Sequence, residues 1–190
     1  MRRLSLVIVA VALCALPGCR KRPAADEPAA PAAPLTVAAG FHHDPKFDVD
    51  GYYLPVTPVQ AGNFKLTNLA MGSESDFAQW EAGEREGVFG PMIIDLEDVS
   101  SPVVANELGQ PGHKVTARAL PERYRLFPGE VAFAASDPKV GQILFVGRYD
   151  QTALAAERKD RTGQKPVLTG SLQVGAARFD GVSFTYFEGD

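Results

Sequence analysis

From Phe41 onward, apolar and polar residues alternate with a period of two, the pattern of strands buried on one face. Met92, Ile94 and Leu96 fall on one face, and Asp95 and Glu97 on the other. Val115, Ala117 and Ala119 alternate with Lys114, Thr116 and Arg118 in the same way. Tyr124 and Leu126, then Val131, Phe133 and Ala135, carry the alternation across a Pro128-Gly129 turn. Ile143 to Val146 is apolar on both faces, which predicts a central strand covered on each side and continued by Gly147 and Tyr149. Leu172 and Val174 are placed to pair with Phe179, Val182, Phe184 and Tyr186 across a Gly175-Ala176 turn. Phe64 and Leu66 share a phase that Leu69 and Met71 break, so a bulge is expected near Asn68.

Helical spacing is scarce. Ser75 to Ala82 predicts a short helix, with Phe77 and Trp80 on one face, acidic residues in the first turn and Gly83 as a stop. Gln151 to Lys159 predicts another, with Ala153, Leu154 and Ala156 inward. Short strands punctuated by Gly and Pro lead to a mainly all-β fold, an antiparallel β-sandwich with one or two short helices; a small β-barrel is the alternative. Residues 41–190 are expected to form a single β-rich domain.

Composition supports a folded domain. Of 190 residues, 45% are apolar and 22% charged, with 18 Gly and 15 Pro, a turn-rich globular balance. From Leu35 onward 21 acidic residues face 14 basic ones. That excess argues against nucleic-acid binding, which needs a basic footprint, and against a domain lying flat on anionic lipid.

The first residues differ in kind. Arg2 and Arg3 are followed by the apolar run Leu4 to Leu16 and then by Leu16-Pro17-Gly18-Cys19. These thirteen residues, apolar except for Ser5, span about 20 Å as a helix, short of a ~30 Å bilayer core, so the segment reads as an export signal. Leu16 to Cys19 resembles the lipobox of bacterial lipoproteins, with Pro17 standing where that family carries Ala or Ser. The resemblance implies that Leu16 and Gly18 are recognised, that Cys19 is the lipid attachment site, and that residues 1–18 are a signal peptide removed on acylation of Cys19. The alternative is a plain secretory signal cut after Ala25, which would place Arg20-Lys21-Arg22 between the apolar run and the cut. Arg2-Arg3 also suggests the twin-arginine route, although Ser5 fits general secretion better. Arg20 after the cysteine, in place of Asp, favours the outer membrane by the same resemblance. Cys14 belongs to the signal, which leaves Cys19 as the one remaining thiol. Residues 19–40 read as an Ala/Pro-rich linker, with PAADEPAAPAAP biased toward extended polyproline conformation.

Candidate chemistry is thin. His42-His43-Asp44, with Asp48 and Asp50 behind, is the one His/Asp cluster, but adjacent histidines on an extended chain point to opposite faces. Asp48-Val49-Asp50-Gly51 resembles the opening of a calcium loop without its later ligands. Asp95 and Glu97 have the spacing of a carboxylate pair, with a solvated strand face as the simpler reading. Trp80 is either an exposed recognition aromatic or the anchor of its helix, and Tyr52, Tyr53 and Phe187 are equally ambiguous. No phosphate loop, nucleophile elbow or paired-His zinc helix is present, and no local signal supports a Ser/His/Asp triad. The expectation is therefore no catalytic, cofactor or metal residue. It is a lipid-anchored envelope protein facing the periplasm, with a possible envelope protein partner and a non-catalytic binding or assembly role. A module for glycan, metal or small molecule, or a hydrolase, is the alternative.

Overall fold

The computed structural model describes residues 33–85, 87–105 and 109–189; the signal, lipobox and most of the linker lie outside them. Thirteen strands and two helices follow in chain order: β1 (Phe41–His43), β2 (Gly51–Pro55), β3 (Gln60–Ala61), β4 (Phe64–Met71), α1 (Glu74–Ala82), β5 (Met92–Asp98), β6 (Val103–Ala105), β7 (Pro111–His113), β8 (Thr116–Ala119), β9 (Pro121–Phe127), β10 (Glu130–Asp137), β11 (Gly141–Tyr149), α2 (Gln151–Asp160), β12 (Pro166–Val174) and β13 (Ala177–Phe187). The fold is mainly β with two short helices, as the alternation predicts. One sheet runs in the order β1-β9-β10-β11-β12-β13-β2-β4-β5-β8, with β3 added beside β4, while β6 and β7 pair separately. Its ten-strand path curls into a half-barrel, intermediate between the sandwich and the barrel weighed above. Every pair along it is antiparallel except β1 on β9, which is parallel.

The inner face is one continuous core. Tyr53, Leu69, Met92, Leu96, Tyr124, Leu126, Phe133, Ile143, Phe145, Leu168 and Phe184 are all buried in it. The curl depends on irregularities that keep this face apolar. In β4 the expected bulge is present: Leu66 pairs with Leu96 and Asn68 with Asp95, leaving Thr67 as the extra residue, and its hydroxyl donates to the Asp95 carbonyl at 2.8 Å. A second bulge at Glu122 lets both Pro121 and Tyr124, three apart, face inward. The Ser136 hydroxyl donates to the Glu122 carboxylate there. In β13 an extra residue falls at Asp180-Gly181, with Gly181 at φ +70°.

Glycine is required where Phe145 turns over the sheet. Gly147 and Gly170 are register partners on β11 and β12, and a Cβ at either would lie 2.7–2.8 Å from the Phe145 ring. That ring in turn stacks on Phe133 (5.5 Å, 24°) and meets Phe184 edge-on (5.7 Å).

β8 passes into β9 through Leu120 alone, so the chain steps from the last strand of the order to the second across the mouth of the curl. The β4–β5 connection covers this opening, its ends joined by the bond from Gly72 N–H to the Pro91 carbonyl (2.9 Å). It carries α1, which starts at Ser73 and stops at Gly83 (φ +96°). The Asp76 carboxylate accepts from the Ser73 N–H and hydroxyl, both at 2.7 Å, the acidic half of a capping box. Phe77 and Trp80 face inward, as expected for a docking helix. Trp80 is 7% exposed and meets Phe41 edge-on at 6.3 Å, and the Arg85 guanidinium lies over both rings.

Candidate functional site

The His/Asp cluster lies on β1 and the loop that follows it, where β1 packs under α1. His42 is exposed and His43 turns inward, because successive side chains on a strand alternate. The His43 ring stacks on Phe77 (5.0 Å, 23°), and its Nδ1 lies 2.9 Å from Glu81 Oε1. The same carboxylate oxygen accepts the Tyr124 hydroxyl at 3.0 Å. Burial and this bond to Glu81 raise the Tyr124 pKa, so the phenol stays protonated as a donor. An imidazole, a carboxylate and a phenol from β1, α1 and β9 thus meet across the open side of the sheet. The contact fastens α1. His43 Nε2 is buried with no hydrogen-bond partner, so the trio presents no reacting group at the surface.

Beyond His43, the loop to β2 folds back on itself. Asp44 Oδ1 accepts from Lys46 N–H (3.0 Å) and Asp48 Oδ1 from Asp50 N–H (3.1 Å). Asp48 also pairs with Arg158 of α2, whose Nη2 reaches its Oδ2 at 2.6 Å and whose Nη1 donates to its carbonyl at 2.9 Å. Gly51, the glycine of the calcium-like motif, is explained by packing: a Cβ there would lie 2.5 Å from the Tyr186 ring. Among the described residues no three His, Cys, Asp or Glu side chains converge in a metal-binding arrangement. The loop borders a cleft of about 330 Å³ whose other wall is the start of α1.

Asp95 and Glu97 share the outer face of β5, each with its own cation across a neighbouring strand. Arg118 is bidentate to Asp95 (2.8 and 3.2 Å), and Lys65 lies 3.5 Å from Glu97. They do not act on a common point.

The ambiguous aromatics resolve by strand phase. Tyr53 points into the core and donates to the Val49 carbonyl at 2.7 Å. Tyr52 and Phe187, 44% and 46% exposed, are register partners on β2 and β13, with ring centroids 6.4 Å apart. Leu54 continues the same exposed row, and Val56 follows it just beyond β2. This run of four large apolar side chains on the outer face was not recognised as a set, because the strand register that assembles it joins residues more than 130 apart.

No family model matches the chain, and no curated protein or solved structure does either.

Proposed function

We propose that this is a lipid-anchored protein of the bacterial cell envelope, held through Cys19, whose β-domain is a non-catalytic module that docks an envelope protein. The anchor rests on the lipobox-like Leu16-Pro17-Gly18-Cys19, placed after a short apolar run and before an Ala/Pro linker. The observation that carries the docking role is the row Tyr52, Leu54, Val56 and Phe187. Single exposed apolar side chains are ordinary, but a contiguous row on an open sheet face is the composition of interface centres, where Tyr and Phe are enriched. An outer-membrane position facing the periplasm follows from Arg20 at the residue after the anchor.

The test is photocrosslinking in intact cells from a benzoylphenylalanine placed at Leu54 on β2, with a second at Lys139, in the turn between β10 and β11, as control. The expected result is one defined crosslinked protein from position 54 and not from 139, reduced when Cys19→Ser removes the anchor. Equal labelling from both positions, or none from 54, overturns the docking role. Processing that is unchanged in Cys19→Ser overturns the anchor.

A further inference from the structure

The connection that carries α1 is tied at its neck, where Gly72 N–H meets the Pro91 carbonyl, and along one side of the helix. Among the described residues, the ring contacts between α1 and the sheet go to two strands. Phe77 stacks on His43 and meets Tyr124 edge-on at 5.4 Å, and Trp80 meets Phe41. Glu81 adds its bonds to His43 Nδ1 and to the Tyr124 hydroxyl. Phe41 and His43 belong to β1, and Tyr124 to β9, on which β1 is paired. The return from α1 to β5 does little to hold the helix, since Val88 and Phe89 are 59% and 69% exposed. A nine-residue helix is marginal in water by itself, so the closed position of α1 depends on these contacts.

β1 is weakly held in its turn. It has three residues, it lies at the end of the strand order, and its pairing is parallel, slightly less stable per residue than antiparallel pairing. The ladder begins with Tyr124 N–H donating to the Gly40 carbonyl (3.0 Å) and ends with Asp44 N–H donating to the Leu126 carbonyl (2.9 Å). Two buried polar atoms without a hydrogen-bond partner, His43 Nε2 and Trp80 Nε1, belong to the side chains through which β1 and α1 meet. Separation of the two elements lets water reach both atoms, which favours the open form.

Each element therefore stabilises the other. Without β1, α1 loses Phe41 and His43; without α1, three parallel residues hold the edge alone. We propose that β1 is a latch on α1: its release from β9 and the departure of α1 from the mouth of the curl are one local opening, with the rest of the sheet still folded. The open form exposes Tyr124 and frees the Tyr124 N–H and Leu126 carbonyl on the edge of β9. The state of the latch thus decides whether the molecule presents a covered face or an open strand edge. Neither the lipid anchor nor the Tyr52–Phe187 row is needed for this.

Native-state hydrogen exchange, followed by NMR on the full chain in a non-ionic detergent, reads the opening directly. The expected result is one common protection for the amides of Asp44, Tyr124 and Trp80, about a hundredfold below that of Phe145 in β11. Two variants test the coupling from opposite sides. The parallel register directs the His42 N–H to the Tyr124 carbonyl, and the His42 side chain is exposed, so His42→Pro removes a ladder bond without changing α1. It is expected to lower protection at Trp80 about tenfold, as much as at Asp44. Ala78→Gly, at an exposed position of α1, weakens the helix and is expected to lower protection at Asp44 and Tyr124 about fivefold, as much as at Trp80. Protection at Trp80 that ignores His42→Pro, or at Asp44 that ignores Ala78→Gly, overturns the latch. So does protection of all three amides equal to that of Phe145, because the segment would then open only when the whole domain unfolds.

Discussion

Tyr53, Tyr149 and Tyr186, all three buried, sit edge to face inside the curl, and their hydroxyls are not equivalent. Tyr53 donates to the Val49 carbonyl and Tyr186 to that of Asp50 at 2.9 Å, so two phenols hold the chain entering β2. The Tyr149 hydroxyl is buried with no hydrogen-bond partner. Tyr53→Phe therefore leaves a buried carbonyl unpaired and is expected to cost about 1–3 kcal/mol, whereas Tyr149→Phe removes an unmet polar group and is expected to be neutral or stabilising. Urea unfolding of both variants checks this, and a larger loss at Tyr149 would reverse the assignment. Little of it was legible in advance. Strand alternation says that one of Tyr52 and Tyr53 faces inward; which one depends on pairing with β13, far away in sequence. The converse holds at Trp80, where spacing from Phe77 and the Gly83 stop were sufficient to anticipate a docking helix.

At the scale of elements, strands were readable wherever one face is wet. β5, β8, the β9–β10 hairpin and the β12–β13 hairpin follow the expected phases, and the bulge in β4 falls where the phase slips. β1, three residues long and paired in parallel, and the short β3, β6 and β7 leave no periodic trace at that length. α2 begins as expected, with the Asp150 carboxylate accepting from Ala153 N–H at 2.9 Å. Its inward face holds Leu154 and Ala153 as expected, and takes in Glu157 as well, buried beside Leu154. The Glu157 carboxylate accepts from the Thr162 hydroxyl (2.6 and 2.8 Å), Gly163 N–H (2.7 Å) and Lys165 N–H (3.3 Å), closing the loop to β12. A sequence pattern marks a charged residue as outward, and only the folded loop supplies the donors that reverse this. Those bonds, Thr162 first, hold the Glu157 pKa below the usual glutamate value. A lowered folded pKa gives stability that is complete above the unfolded value and is lost as pH falls through the folded one. Glu157→Gln is thus expected to lower the urea midpoint at neutral pH and to flatten its decline on acidification below the usual glutamate range. A decline as steep as in the parent chain would show that the acid sensitivity arises elsewhere.

In the whole molecule, the strand order divides the sheet into two runs, β9 to β12 and β2-β4-β5-β8, and β13 lies between them. Its register with Leu168 and Leu172 on one side and with Tyr52 to Pro55 on the other makes it the single strand that joins them. A chain ending at Val174 is expected to keep local hairpins and lose cooperative unfolding, which circular dichroism and denaturant titration together would detect. A sharp transition in that truncation would mean that the core closes through α1 and the β8–β9 step instead. The sequence announced a β-rich domain through its alternation, but a half-barrel differs from a sandwich by where the curl falls, and that is decided by Gly147, Gly170 and the bulges acting together.

The place of β13 also sets an order in time. A chain delivered from its N-terminal end, by a ribosome or through a translocation pore, presents β2 and Tyr53 well before their partner strand β13. Until then the two runs have no common edge to share, and contacts so distant in sequence form slowly. Joining the two runs edge to edge therefore waits on β13, the thirteenth strand of the described chain.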